Sequence, residues 1–162
     1  MIGYLERLST FLNLLLFGVA GGTLVGMALL TCTNVFLRCV WIPVKGVYEL
    51  MGFFGAIVTA FALGYTQVKR GHVGIDIVVN QFSARTRRIL NGINYFVCMI
   101  FFALAGWQIA IWGTTIRRTG EVTETLRIIF YPFIYGVALG SIILCLVFLV
   151  DLLKVLVERE GT

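Results

Sequence analysis

The sequence has little charge: 13% of its 162 residues are Asp, Glu, Lys or Arg while 59% are hydrophobic, against about 25% and about 45–50% in an ordinary soluble domain. Charge is missing altogether from four runs, Leu8 to Leu37, Leu50 to Val68, Ile89 to Ile116 and Ile128 to Val150. A helix needs about 20 mostly apolar residues to cross roughly 30 Å of hydrocarbon, so each run predicts a transmembrane helix. The longest connection between runs is Lys69 to Arg88, too short for a nucleotide-binding domain. The only histidine, His72, falls at a helix end, which excludes a haem held by axial histidines inside the spans. No carboxylate lies within a run, which excludes a small proton-coupled drug exporter. Cys32, Cys39, Cys98 and Cys145 form no C-x-x-C pair and read as small apolar filler. There is no metal cluster, no nucleophile with its base and no phosphate loop, so the chain does not read as an enzyme.

The expected fold is all-α and integral to a membrane, a single domain over 1–162. It has four spans (about 8–37, 50–68, 89–116 and 128–150) and a short interfacial helix over about 73–82. The first run is too long for the apolar region of a signal peptide. The formal charge of +5 would suggest nucleic acid in a soluble protein; here the basic residues flank apolar runs, so no nucleic-acid partner is expected. Arg7, Lys69, Arg70, Arg85, Arg87, Arg88, Lys154 and Arg159 fall on one side of a four-span topology and Arg38, Lys45, Arg117, Arg118 and Arg127 on the other. The heavier basic side is expected in the cytoplasm, with both termini.

Tyr4, Tyr65 and Tyr95 mark one interface and Trp41, Tyr48, Trp112 and Tyr131 the other, while Trp107 lies deeper and is expected to pack. Pro43 and Gly46 mark a turn before the second helix. Glu49 opens that helix four residues after Lys45, where the helix dipole favours a carboxylate. In the second loop Ile75, Val78, Val79 and Phe82 recur at helical spacing opposite Asp76, Asn80, Ser83 and Arg87. That pattern fits a helix lying in the interface plane, or a connector packed on the bundle. Ser83 can cap the third span either way.

A chain that itself carries a charged solute needs polar or ionisable groups near the midplane. These spans offer only hydroxyls and a few amides, Asn13, Asn34, Gln67, Asn94 and Gln108, mostly toward their ends. A supporting role is therefore the default. Small residues recur at four-residue spacing: Gly18, Gly22 and Gly26 in the first span, Gly52, Ala56, Ala60 and Gly64 in the second, Gly106 and Ala110 in the third, Gly136 and Gly140 in the fourth. Such ridges let helix backbones approach closely in lipid, either within the bundle or against a partner subunit.

The residues joining the helices carry a further pattern. Asn34-Val-Phe-Leu-Arg38 closes the first helix, Tyr48-Glu49-Leu50 opens the second, and Lys69-Arg70-Gly71-His72-Val73-Gly74-Ile75-Asp76 follows it. Thr123-x-Thr125-Leu126 then leads to Tyr131-Pro132 and Gly140. In order and placement this resembles the small membrane subunit (Q subunit, DctQ-like) of tripartite ATP-independent periplasmic (TRAP) transporters, along nearly the whole chain. The third loop departs from that pattern, reading Leu126-Arg127-Ile128-Ile129 where many relatives place a proline.

The resemblance implies a sodium-coupled secondary uptake system in the bacterial inner membrane. A periplasmic binding protein (P subunit, DctP-like) would deliver an organic acid anion, a carboxylate or a sulfonate. A large multi-helix subunit (M subunit, DctM-like) would hold the substrate and sodium sites and move like an elevator. The small subunit would be a scaffold beside it, with no cofactor of its own. On that reading Arg38, Lys45, Glu49, Arg117, Arg118, Glu121, Glu124 and Arg127 form a periplasmic surface for docking the binding protein. Asn34, Arg38, Glu49, His72 and Asp76 are motif residues with structural roles. Gly18, Gly22, Gly26, Gly52, Ala56, Ala60 and Gly64 pack helices or face the large subunit. Lys69, Arg70, Arg85, Arg87 and Arg88 meet phospholipid headgroups. A self-sufficient four-helix transporter or channel, and a membrane anchor for a redox enzyme, are the alternatives.

Overall fold

The computed structural model describes residues 2–69 and 83–157. Four helices account for nearly all of them: α1 (Ile2–Val40), α2 (Val47–Val68), α3 (Ala84–Thr119) and α4 (Tyr131–Val157). Each is long and apolar enough to cross a membrane. Helices are the necessary solution for such segments, since lipid offers no partner for a free backbone N–H or C=O. The interfacial helix expected over 73–82, together with Arg70, His72 and Asp76, lies outside the described residues.

The helix ends differ from the limits of the uncharged runs for physical reasons. α1 begins at Ile2, ahead of Leu8, and α3 runs from Ala84 to Thr119, because Glu and Arg favour helix once the chain leaves hydrocarbon. α4 begins later than expected, at Tyr131, because Ile129 is held in a bridge to Val122. Pro132 is then tolerated in the first turn, where an N–H has no intrahelical acceptor. Ser83 caps α3 as expected, its hydroxyl accepting from the Thr86 N–H.

α1 and α2 form an antiparallel hairpin. Its register is marked by Thr31 beside Met51, Met27 over Gly55 and Phe17 stacked on Tyr65 at 4.1 Å between ring centroids. α4 is the hub and touches all three other helices, while α3 rests chiefly on α4. The central core joins Leu16 and Ala20 of α1 to Ala60 and Phe61 of α2, with Ile57, Val137 and Ile143 packed against it. Gly140 sets the crossing of α4 over α2: a Cβ there would stand 3.0 Å from the Ala60 carbonyl oxygen. Across the other face of α4, Phe102 stacks on Phe148 at 5.8 Å.

Trp107 does not pack inside this chain's bundle. Its side chain is 70% exposed on the outer face of α3, among Leu104, Phe101 and Ile111. Depth in the membrane and depth in the protein are separate coordinates, and hydropathy reports only the first.

Candidate partner-docking surface

The bundle has two ends. Residues near Glu6, Gln67, Arg88 and Lys154 gather at one, here called proximal. The α1–α2 and α3–α4 loops gather at the other, called distal.

The distal end is built around Glu49. From the third position of α2 its carboxylate reaches across to the α3–α4 loop, where Oε1 accepts from the Thr125 N–H at 2.7 Å and Oε2 from the Leu126 N–H at 3.1 Å. A carboxylate facing two backbone donors at a helix N-terminus is favoured by charge-assisted bonding and by the helix dipole. The expected partner Lys45 is not used: among the described residues the ion pair is Glu6–Lys154. Directly before α2, Gly46 takes a left-handed φ of 72° and leaves the space that the Leu126 side chain occupies. A side chain at position 46 would meet both obstacles.

The α3–α4 loop is itself ordered by Thr123. Its N–H donates to the Ile128 carbonyl at 3.0 Å, its carbonyl accepts from the Arg127 N–H at 3.1 Å, and its Oγ1 accepts from the Ile128 N–H at 3.2 Å. Arg127 sits at φ 51°, a conformation uncommon outside glycine, held here by those bonds on either side. The α1–α2 loop is pinned similarly, with Asn34 Oδ1 accepting from the Val44 N–H at 3.0 Å. Two motif residues, Asn34 and Glu49, thus each spend a side chain on fixing a loop.

Onto this platform the chain sets charge. Arg38, Lys45, Arg117, Arg118, Glu121, Glu124 and Arg127 are all exposed at the distal end, and Arg117 also lies over the Tyr131 ring, 6.0 Å from its centroid. With Glu49 turned inward, the exposed side chains of this set are predominantly basic. Trp41 and Tyr48, 77% and 84% exposed, stand among them.

The structure divides the small-residue ridges. Gly18, Gly22 and Gly26 of α1 and Gly52 of α2 have open space where a Cβ would stand, and Ala56 is exposed. Ala60 and Gly64 are buried inside the bundle. A four-residue spacing advances 400° on a helix of 100° per residue, so the row winds by 40° at each step. From Gly52 to Gly64 it turns from the outside of the bundle to the inside. A ridge read as one surface from sequence is therefore two.

At the proximal end Lys69 lies 5.8 Å from the centroid of the Tyr65 ring and Arg87 is exposed. Arg88 is committed within the chain, Nε and Nη2 both donating to the Val155 carbonyl of α4 at 3.1 and 3.0 Å. Arg85 lies in the first turn of α3. Sequence reasoning missed two contacts here, Lys154 Nζ to Glu6 Oε1 at 2.7 Å and Gln67 Nε2 to Asp151 Oδ2 at 3.1 Å. Both join residues far apart in the chain. The available signal was that Gln67 and Asp151 each close an otherwise apolar run.

Residues 27–158 match the family model described as the DctQ component of tripartite ATP-independent periplasmic transporters. The chain belongs to the DctQ family. It is thus a membrane component of a TRAP transporter, a kind of assembly in which DctQ associates with the DctM and DctP subunits. No curated protein and no solved structure matches the chain. The match spans the distal platform, including Asn34, Glu49 and the Thr123–Arg127 loop, and all of α2, α3 and the α4 hub.

Proposed function

We propose that this DctQ chain is the static scaffold of a sodium-coupled TRAP transporter importing an organic acid anion, a carboxylate or sulfonate, delivered by a periplasmic binding protein. The substrate and sodium sites belong to the large DctM-like subunit. The observation that carries the scaffold reading is the open glycine ridge of α1. Gly18, Gly22 and Gly26 allow a close backbone approach that none of the described residues uses, and in lipid such approach is what brings helices together. The large subunit is its occupant. The distal end faces the periplasm, where the ordered, mainly basic loops form part of the docking surface; complementary charge there raises the encounter rate more than the final affinity. The proximal end, with both termini, faces the cytoplasm. There Lys69, Arg70, Arg85, Arg87 and Arg88 are the residues that would meet phospholipid phosphates.

Reconstitution tests this division of labour. Sodium-dependent uptake is expected in liposomes holding this chain, the large subunit and the binding protein, and to be lost when any one is omitted. Gly18→Leu with Gly22→Leu is expected to abolish co-purification of the large subunit while the chain itself remains helical. Flux from this chain alone would establish a self-sufficient transporter instead. Bound haem or quinone absorbance in the purified protein would establish a redox anchor.

A further inference from the structure

The outer face of α3 carries a row of side chains whose pitch differs from that of the small-residue ridges. Asn94, Val97, Phe101, Leu104, Gln108 and Ile111 follow one another at alternating intervals of three and four residues, the 3.5-residue repeat of a coiled-coil seam. A seven-residue repeat drifts by only about 20° on a straight helix, so the row stays on one side of α3, and all six side chains are exposed. Gly106, whose missing side chain leaves room for Ser141 and Ile142 of α4, lies two positions from both Leu104 and Gln108. At about 100° per residue that puts it on the opposite side of the helix. The seam therefore points away from the bundle.

Two polar groups on this side of α3 have nothing to bond to in lipid. Gln108 lies eight residues inside the distal limit of the uncharged run at Ile116, about 12 Å at 1.5 Å per residue. Helical side chains lean toward the N-terminus of their helix, which here carries the carboxamide toward the membrane centre and not out to the distal headgroups. Gln108 makes no hydrogen bond among the described residues, unlike Thr114 and Thr115, whose hydroxyls donate to the Ile111 carbonyl of their own helix. Trp107 beside it is exposed at the same depth, away from the interfacial belt that indoles favour. Its Nε1–H likewise has no partner among the described residues. Acyl chains supply neither donors nor acceptors, so an amide left facing them is costly.

The chemistry of the seam selects its occupant. A carboxamide holds both donors and an acceptor and is complementary to a second carboxamide. Copies of one chain enter the membrane in the same orientation, so two of them can meet about a two-fold axis along the membrane normal, where Gln108 faces its own counterpart at equal depth. Asn94 falls two heptads earlier at the same position of the repeat. Its oxygen accepts from the Cys98 thiol at 3.7 Å, and its NH2 group is unused among the described residues. An amide at such a position, among apolar neighbours, fixes register and strand number in parallel coiled coils, and amides bond across facing membrane helices in the same way. We infer that the outer face of α3 is a homodimer interface, in which two copies of this chain pack their seams over 94–111 in parallel and the two Gln108 carboxamides exchange hydrogen bonds within the bilayer. The pairing uses no residue of the α1 ridge, which stays open to a large subunit in each copy.

Cross-linking tests the pairing in native membranes that hold the full chain with the large subunit, on a background without the native cysteines. Leu104→Cys lies on the seam, and Ala103→Cys, also exposed, lies off it. Under mild copper–phenanthroline oxidation the first is expected to give severalfold more disulfide-linked dimer of this chain than the second. Equal yields would overturn the inference. Gln108→Leu exchanges the amide for a side chain that lipid accepts, so insertion and the fold of the bundle are kept; added to Leu104→Cys, it is expected to lower the dimer yield severalfold. An unchanged yield would show that the amide does not hold the pair and would overturn the role given to it. A benzophenone maleimide attached at Leu104→Cys captures whatever covers the seam, and mass spectrometry of the adduct is expected to find this chain. Adducts with the large subunit, or with lipid alone, would assign the seam to those occupants and overturn the homodimer.

Discussion

A single glycine can be indispensable to the packing of this bundle or make no contact within it, and its position relative to the bundle decides which. The carboxamide oxygen of Asn13, a residue with no solvent exposure, sits where a Gly64 Cβ would stand. The same amide donates to the Ser9 carbonyl at 2.8 Å, so it cannot swing aside without losing a buried bond. Gly64→Ala is expected to destabilise the chain by about 1–3 kcal/mol, the usual cost of forcing an extra methyl into a filled interior. Gly18→Ala, whose methyl meets nothing within 4 Å, is expected to change stability by no more than about 0.5 kcal/mol, as for a surface substitution. Equilibrium unfolding of the two variants by SDS in mixed micelles checks the contrast. Both glycines sit in small-xxx-small rows, and the sequence distinguishes neither. The difference appears only once Asn13 is known to face α2, a fact carried by the packing of two helices.

At the scale of elements, the four uncharged runs disclosed four helices but not the bonds that fix their connections. Glu49 was legible as a carboxylate suited to a helix N-terminus. Its partners, the N–H groups of Thr125 and Leu126, were not, because backbone donors bear no sequence signature and lie 76 and 77 positions away. Arg88 shows the same gap. As a charge near a span end it reads as a headgroup ligand; the structure adds that Nε and Nη2 donate to the Val155 carbonyl, one of those that a helix leaves free in its last turn. Glu49→Gln is the informative substitution at this scale. The amide keeps one acceptor oxygen but presents an NH2 to the second backbone donor, so the α2 contact with the α3–α4 loop is halved and partly repulsive. Hydrogen exchange at the Thr125 and Leu126 amides is expected to accelerate, while amides in the middle of α4 keep their protection. Unaltered exchange at those two positions would mean that Thr123 orders the loop without help from α2.

For the whole molecule the property to test is orientation, since the fold has two chemically different ends. Both carry an excess of basic residues, and the bias between them rests chiefly on Lys69, Arg70, Arg85, Arg87 and Arg88. On a background without the native cysteines, Glu124→Cys in intact cells is expected to react with a membrane-impermeant maleimide. Lys154→Cys is expected to react only after the membrane is permeabilised. The reverse pattern would place the distal platform in the cytoplasm and remove the docking reading. The helices also differ in length by design of their ends: α1 has 39 residues and α3 has 36, against 22 and 27 in α2 and α4. At 1.5 Å per residue the first two measure about 58 and 54 Å, beyond the roughly 40–45 Å of a bilayer with its headgroups. Tilt or protrusion must absorb the excess.

The central place of α4 bears on the order of biogenesis. Chain order delivers α1 and α2 first, and they can close their hairpin around Leu16, Ala20, Ala60 and Phe61 as soon as both are inserted. α3 follows, but its main contact surface in the finished bundle belongs to a helix not yet made. Until α4 enters the bilayer, α3 lacks its main contact surface within this chain. Final assembly is therefore a post-insertion event in which the last span threads between an existing hairpin and a waiting helix. A ribosome stalled within α4 would leave a half-built hairpin and an orphan span, the kind of intermediate that membrane quality control recognises.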